Sequence, residues 1–531
     1  MPIIKHSAIQ LRSVNKIRWF SSTIYANFTN LNKFHQNLTD NHRSSLIKID
    51  LETIDNDSIY YPTISKFRKE NPNSKLIDIH NFRKLFDNAV PVNVKNEYLI
   101  EGRIKSIRKS GKGMYFIDIT HNNERLQILA SNNLMNLSLE EFDIKHAWFK
   151  IGDIIGCNGV VSRTKTGELT LKLNKPIRLL TPRLKEIPDK ITDKSLINRN
   201  RVLNYLSNPD SKRFIIIKSQ IIETIRNFLI KKNFLEVQTP LLIGSGTGAN
   251  ANPFVTKYKD SQVHLRVAPE LWLKKLVIGG FDKVFEIGTN FRNEGIDQTH
   301  NPEFTSCEFY QTYTSLDQLI ELTEELFNEL FLKFDIMKSV KFIRYEFLPT
   351  LESQTGLSFQ DLSLNNLIEN FHKLNLQVPP NPNPANLLNQ LSEIYLESLS
   401  ITKHKDIPVV IYNQPEILSP LAKSMKDENG NSISLRFELF VNGKELVNAY
   451  EEENNPVKQH EKFKLQQSNK IEFNDEESLI PDWTYIQTME YGLPPTGGWG
   501  CGIERLTMLI SNAERIDNVL SFGNLRDVMK Q

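Results

Sequence analysis

Residues 284–312 read VFEIGTNFRNEGIDQTHNPEFTSCEFYQT. Phe304, Ser306, Glu308 and Tyr310 alternate, so a strand through them turns a phenyl ring, a carboxylate and a phenol to the same face. Residues 284–291 read as the partner strand, and the connection between the two carries Arg292, Glu294, His300 and Glu303. A long charged tip bounded by two apolar strands suits a functional loop better than a disordered one. The plain alternative is a surface hairpin with solvated charges. The active site is expected here.

The wording of the stretch narrows the choice. FRNEG, then THNPEFT, then CEFY closely resembles motif 2 of class II aminoacyl-tRNA synthetases, in the form found among lysyl-tRNA synthetases. Chemistry points the same way: an Arg fork suits a carboxylate and a phosphate that must meet, and an aromatic face suits a purine. The resemblance implies that Arg292 bridges the amino acid carboxylate and the ATP α-phosphate. It puts His300 near the phosphates, with Glu294 and Asn301 also in the ATP site, and stacks Phe304 on adenine.

At 531 residues the chain exceeds one ordinary core, so two or three folded units are expected. With 39% hydrophobic and 24% charged residues it reads as globular and soluble. The formal charge is only +2, so any nucleic-acid surface must arise from local clustering. Cys157, Cys307 and Cys501 are odd in number and far apart, which argues against a disulfide framework or a Cys-rich zinc site. No apolar run reaches the roughly 18 residues of a membrane span, and no membrane partner is expected.

Residues 1–39 contain no acid but carry Lys5, Arg12, Lys16, Arg18 and Lys33 among Ser and apolar residues. This composition fits a mitochondrial transit peptide and import to the matrix, with processing near Phe20; a basic tail or RNA-binding arm is the alternative. Residues 40–97 form an extension. From residue 98 to 181, YLIEGRIKSI, MYFIDIT, RLQILA, DIIGCNGVVS and ELTLKL are short strands separated by turn signals, the pattern of a small all-β barrel. Arg103, Lys105, Arg108, Lys109 and Lys112 stand beside Tyr115 and Phe116, which suits single-stranded nucleic acid or a solvated basic face. The strand order resembles the anticodon-binding OB-fold domain of lysyl-tRNA synthetases. That resemblance assigns tRNA contacts to Phe116, Gln127 and Glu168, with Arg103 beside them.

Residues 182–213 read as a linker and 214–531 as the catalytic domain. FLEVQTPLL resembles motif 1, the dimer-forming element of the class, with the motif ending at Pro240, and implies a homodimer. GSGTG at 244–248 is a weak phosphate signal, lacking the Lys-Ser/Thr of a Walker loop, and reads as a loop near the amino acid at Gly248. In LRVAPELWLKKLVIGGF, Glu270 opens an amphipathic helix; an acid there is often only a dipole partner, but the resemblance gives Glu270 the substrate α-amino group. Residues 315–333 read as an amphipathic helix. Residues 341–405 suggest no chemistry.

RFELFVNGKELVNAYEE, residues 436–452, carries Asn442-Gly443, a strong two-residue hairpin signal. That register lays Glu438 and Glu445 diagonally on one face, where two carboxylates beside a triphosphate suit Mg²⁺. The alternative is a pair of charges on a wet sheet face. The resemblance assigns both glutamates to the metal and to ATP, and Asn448 and Glu452 to the amino acid pocket with Glu308 and Tyr310. Strict alternation puts Asn448 on the face opposite Glu445, so a bulge or helix start must intervene. EYGLPPTGGWGCGIERLTMLI resembles motif 3; its glycines allow close backbone approach to a ligand, and Arg505 is implied to contact the ATP phosphates.

Taken together, an α+β chain is expected: an N-terminal OB-fold barrel, then a class II catalytic domain with an antiparallel sheet flanked by helices. The resemblance implies a lysyl-tRNA synthetase acting on lysine, ATP and lysine tRNA with Mg²⁺, and Arg292 and Arg505 as its catalytic cations. Aspartyl- and asparaginyl-tRNA synthetases share the domain order. A fold-retaining RNA binder or regulator is the alternative of another class.

Overall fold

The computed structural model describes residues 60–88, 96–244, 248–249, 251–336, 341–472 and 481–530. The expected transit peptide, residues 1–39, lies outside them. The chain divides into two compact units between Lys190 and Ile191.

In the first unit, strands Glu97–Lys109, Met114–His121, Glu124–Ser131, Leu169–Leu173 and Ile154–Arg163 pair in that order, and the last returns to the first. This is a closed five-stranded barrel of the OB kind. Ile104, Ile117, Ile119, Leu126, Ile128 and Leu171 fill its interior. Helix Ile79–Phe86, capped by Asp78 accepting from the Asn81 amide, adds Ile79, Phe82 and Phe86 to the same core. Part of the segment expected as an extension thus completes the barrel.

In the second unit, eight strands form one sheet in the order Ile343–Glu346, Val409–Tyr412, Arg436–Val441, Lys444–Glu451, Thr496–Gly502, Glu303–Thr312, Lys283–Phe291, Leu235–Glu236. The sheet is antiparallel through its middle and parallel at both edges. One face carries Phe285, Phe309, Trp499, Ala449 and Phe437 in a cross-strand row. This row packs against helices Arg213–Lys231, Leu316–Lys333 and Ile503–Ser511. Leu316–Lys333 begins with a capping box, Ser315 and Gln318, and buries Leu319, Ile320, Leu326, Phe327 and Leu330 at helical spacing. Each such side chain removed from water contributes about 1.5–3 kcal/mol. The Trp499 indole is pinned by donating to Thr323 Oγ1 at 3.0 Å, which fixes the central strand from its core side. The other face is left for the site.

The segment expected as a linker carries helices Lys194–Arg199 and Arg201–Ser207, and Arg201 and Tyr205 donate to the carbonyls of Asp517 and Ser521. These bonds tie most of it to the second unit. Among the described residues no helix is long and apolar enough to cross a membrane.

Candidate active site

Even-numbered positions of four central strands share the open face. Glu438 lies opposite Asn448, Asn448 opposite Gly500 and Gly500 opposite Glu308; one step along, Arg436, Tyr450, Gly498 and Tyr310 form a second row. The central strand gives only glycine to both rows. A Cβ on Gly498 would collide with the Glu452 carboxylate and lie 2.7 Å from the Tyr310 ring, so the neighbouring side chains occupy space a larger residue would fill. Asn448 reaches this face because Leu439 pairs with Val447 while Phe440 pairs with Glu445. Leu446 is the extra residue of a β-bulge, the irregularity that alternation demanded.

A cavity of about 470 Å³ lies on this face. Gly248, Glu270, Arg292, Glu294, His300, Asn301, Phe304, Glu308, Tyr310, Glu438, Glu445, Asn448 and Arg505 all line it. Thirteen of the fourteen catalytic-domain residues expected at a site therefore converge on one cavity; the other, Glu452, does not line it.

At one end the Arg292 guanidinium carbon stands 5.1 Å from the centre of the Phe304 ring, and its Nε has no hydrogen-bond partner. Burial lowers its pKa from the usual arginine value, opposed by Glu294, Glu445 and Glu308. An arginine remains charged under such a shift, so this is a cation partly stripped of water and open to an anion. Arg505 donates to Glu445 Oε2 at 3.1 Å and meets His300 Nε2 at 2.6 Å. Because a guanidinium only donates, Nε2 accepts, and His300 Nδ1–H donates to Asp297 at 2.7 Å. Asn301 lies in the wall but spends its amide on the backbone, donating to Glu303 O and accepting from Leu525 N.

At the other end Glu308 accepts from Ser306 Oγ at 3.3 Å and Tyr310 OH at 3.4 Å. Among the described residues no cation is paired with it. Burial, reinforced by Glu270, pushes its carboxyl up to about 8 against the opposing effects of Ser306, Arg292 and Arg266. Glu270, at the first turn of helix Glu270–Ile278, accepts from Tyr450 OH at 2.6 Å and Lys274 Nζ at 2.9 Å, both on Oε1. Gly248, at φ +66°, brings its backbone close to Leu271 and Glu270, a conformation that favours glycine.

Glu452 departs from the expected arrangement. Its Oε2 accepts from Lys274 Nζ at 2.8 Å, with both side chains sealed from solvent. Lys274 follows Glu270 by one helical turn and so lies between the two acids, taking the position of the cation that Glu452 was expected to receive from outside. The acids that face the cavity here are Glu270 and Glu308.

Glu438 is paired with Arg436, and its carboxyl is raised by burial, with Arg436 opposing and Glu445 reinforcing the rise. Among the described residues no group of three or more His, Cys, Asp or Glu surrounds a point. Two carboxylates suit Mg²⁺ only where phosphate and water complete its shell, and Glu438 and Glu445 both line the cavity. Lys274, Arg436 and Tyr450 were absent from the sequence expectations. The spacing of Lys274 from Glu270 was the one available signal.

In the barrel, Arg103 pairs with Thr120, Phe116 with Leu129 and Asp118 with Gln127, while Ile104, Ile117, Ile119 and Ile128 point inward. Arg103, Phe116 and Gln127 therefore share the outer face, reached by Arg103 through an irregularity at Lys105. Gln127 accepts from Thr170 Oγ1 at 3.0 Å, and exposed Glu168 is on the same side by alternation along Leu169–Leu173.

Two family models match the chain: tRNA synthetases class II (D, K and N) over residues 193–526, and an OB-fold nucleic acid binding domain over residues 98–180. Similar curated proteins include the mitochondrial lysine–tRNA ligase of Schizosaccharomyces pombe, 40% identical over 81% of this chain and 84% of that protein. The mitochondrial lysine–tRNA ligase of Saccharomyces cerevisiae is 39% identical over 81% of this chain and 82% of its own length. A lysine–tRNA ligase of Haemophilus influenzae is 36% identical over 87% of this chain and 93% of its own.

Proposed function

The chain belongs to the lysine branch of the class II aminoacyl-tRNA synthetases, and from that premise we propose that it is a lysine–tRNA ligase of the mitochondrial matrix. The observation that carries the choice of amino acid is Glu308: a buried carboxylate with neutral donors beside it and, among the described residues, no cation paired with it. A buried charge is costly unless paired, and a lysine side-chain ammonium would pair it. Aspartate would bring a further negative charge to the same place.

Lysine enters with its ammonium toward Glu308 and Tyr310 and its α-amino group toward Glu270. Arg292 holds the lysine carboxylate and the ATP α-phosphate together, and Phe304 stacks on adenine. One carboxylate oxygen attacks the α-phosphorus, the bond to the β-phosphate breaks, and pyrophosphate leaves; a terminal ribose hydroxyl of the tRNA then takes the lysyl group and AMP departs. Positioning and charge neutralisation carry both steps, with Arg292 and Arg505 as the chain's own cations. Glu438 and Glu445 would hold Mg²⁺, which neutralises phosphate charge when bound.

The barrel's outer face, with Arg103, Phe116, Gln127 and Glu168, receives the anticodon. A homodimer is supported by exposed Leu235, Leu241 and Leu242 in and after the segment resembling motif 1. Matrix location rests on the basic, acid-free residues 1–39 and on the mitochondrial relatives. A reporter carrying those residues is expected in the matrix, and efficient import of the protein without them would refute their role. Pyrophosphate exchange dependent on lysine, compared with aspartate and asparagine, tests the activity; preference for either of the latter would overturn it.

A further inference from the structure

A second cavity, of about 620 Å³, adjoins the first through Leu418, Arg436, Glu438 and Glu445 but is otherwise built from residues 347–401 and 414–443. Its wall holds four carboxylates, Glu393, Glu397, Glu438 and Glu445. Among the described residues the one cation in that wall, Arg436, is fully engaged: it pairs with Glu438 and donates to Asn448 Oδ1 at 3.0 Å and to the Leu418 carbonyl at 2.9 Å. Among the described residues neither Glu393 nor Glu397 belongs to an ion pair. Burial, with Glu438, Glu445 and Glu393 adding to it against a bond from Ser392, pushes the Glu397 carboxyl up to about 7.

Two further observations point to a ligand. Gln414 is 1% exposed and lines the cavity; its Nε2 donates to the Ile411 carbonyl at 3.1 Å, but its Oε1 has no partner, and neither has Gln390 Oε1 in the same wall. A buried amide oxygen without a donor is destabilising, and a donating ligand would relieve it. In addition, Glu393–Glu397 is a turn of π-helix, a rare geometry that recurs at functional sites.

The missing ligand is a donor and a cation. A bare metal ion is a poor match, since the described residues bring no three acidic or imidazole groups around one point. The wall also contains Phe347, Ile401, Leu418 and Phe440, which suit methylenes. We infer that this cavity binds a linear organic polyamine, its ammonium groups on Glu393, Glu397 and the free amide oxygens and its aliphatic chain along the apolar side. The site is distinct from the lysine pocket at Glu308 and does not depend on which amino acid the protein activates.

Calorimetric titration of the full chain with spermidine, without tRNA, ATP or Mg²⁺, tests the inference. Saturable binding of one spermidine per chain is expected, weakened at least tenfold in Glu393→Gln/Glu397→Gln. Asn389→Lys sets an ammonium on exposed Asn389 in the same wall, leaves the acids in place and should weaken binding as well. Glu428→Gln, an exposed charge on a distant turn, should bind as the parent does. Thermal melts accompany each variant, so that loss of fold in the double variant leaves Asn389→Lys to decide. Absence of saturable binding, equal affinity in the site variants, an equal loss in Glu428→Gln, or Mg²⁺ alone filling the same site would each overturn it.

Discussion

Lys274 holds its ammonium 2.8 Å from Glu452, 178 positions later in the chain, and neither side chain has exposed surface. The pair fastens the helix that begins at Glu270 to the end of the strand that carries Asn448 and Tyr450. Burial alone would lower the Lys274 pKa, but Glu270 and Glu452 outweigh it and keep the ammonium charged. Replacing Lys274 by Met leaves two buried acids without a counter-ion and should cost about 3–5 kcal/mol in denaturant unfolding. Adding Glu452→Gln to that variant should recover a large part of the loss. Equal stability of parent and single variant would remove the pair from the account.

Glu308 makes lysine use pH-dependent. Its carboxyl keeps its proton in the fold to about pH 8 but releases it near 4.5 in the unfolded chain. Stability without substrate should therefore fall as pH rises from 4.5 to 8, and Glu308→Gln should remove this residue's share of that slope and gain about 2–4 kcal/mol at pH 8. An ammonium pairs only with the ionised acid, so the lysine KM of the parent should rise roughly tenfold for each pH unit below 8, whereas the ATP KM should not follow it. Glu308→Gln should lose about a hundredfold or more in kcat/KM for lysine. A variant that activates lysine as well as the parent would dismiss this pocket.

Glu438→Gln and Glu445→Gln should each raise the Mg²⁺ concentration needed for half-maximal pyrophosphate exchange by about tenfold or more, because an amide is a poorer Mg²⁺ ligand than a carboxylate. An unchanged requirement in both would make them no more than partners of Arg436 and Arg505.

Phe116→Ala removes a ring from the barrel's outer face without touching the inward isoleucines. Aminoacylation should weaken by the about 1–3 kcal/mol of a lost stacking platform, with lysine-dependent pyrophosphate exchange near normal. Equal losses in both assays would refute the assignment of this face to tRNA.

Strand alternation alone made the Phe304–Tyr310 face readable, and the glycines of residues 497–502 made the close approach readable. Both signals are local. Lys274 was harder to see, since in LWLKKL a lysine on an amphipathic helix passes for a solvated one and its second partner lies far along the chain. Arg436 was hidden for the same reason: its ties to Glu438, Asn448 and Leu418 exist only after two strands and a loop have met. Residues 341–405 looked mute because their acids are spread over helices at no catalytic spacing, and only folding gathers Glu393 and Glu397 beside Glu438. The two short helices within the segment expected as a linker were masked by its many charges.

The extra residue at Leu446 sets where this hairpin can change length. Deleting it would restore plain alternation and leave Asn448, Tyr450 and Glu452 on the cavity face, whereas deleting one residue beyond Val447, where alternation is already plain, would turn every later position to the opposite face. An insertion at the Asn442–Gly443 tip would leave every one of those positions facing as before. Length variation among natural or engineered descendants of this chain should therefore collect at the tip and at Leu446 and spare residues 447–452, although only a few positions separate the two.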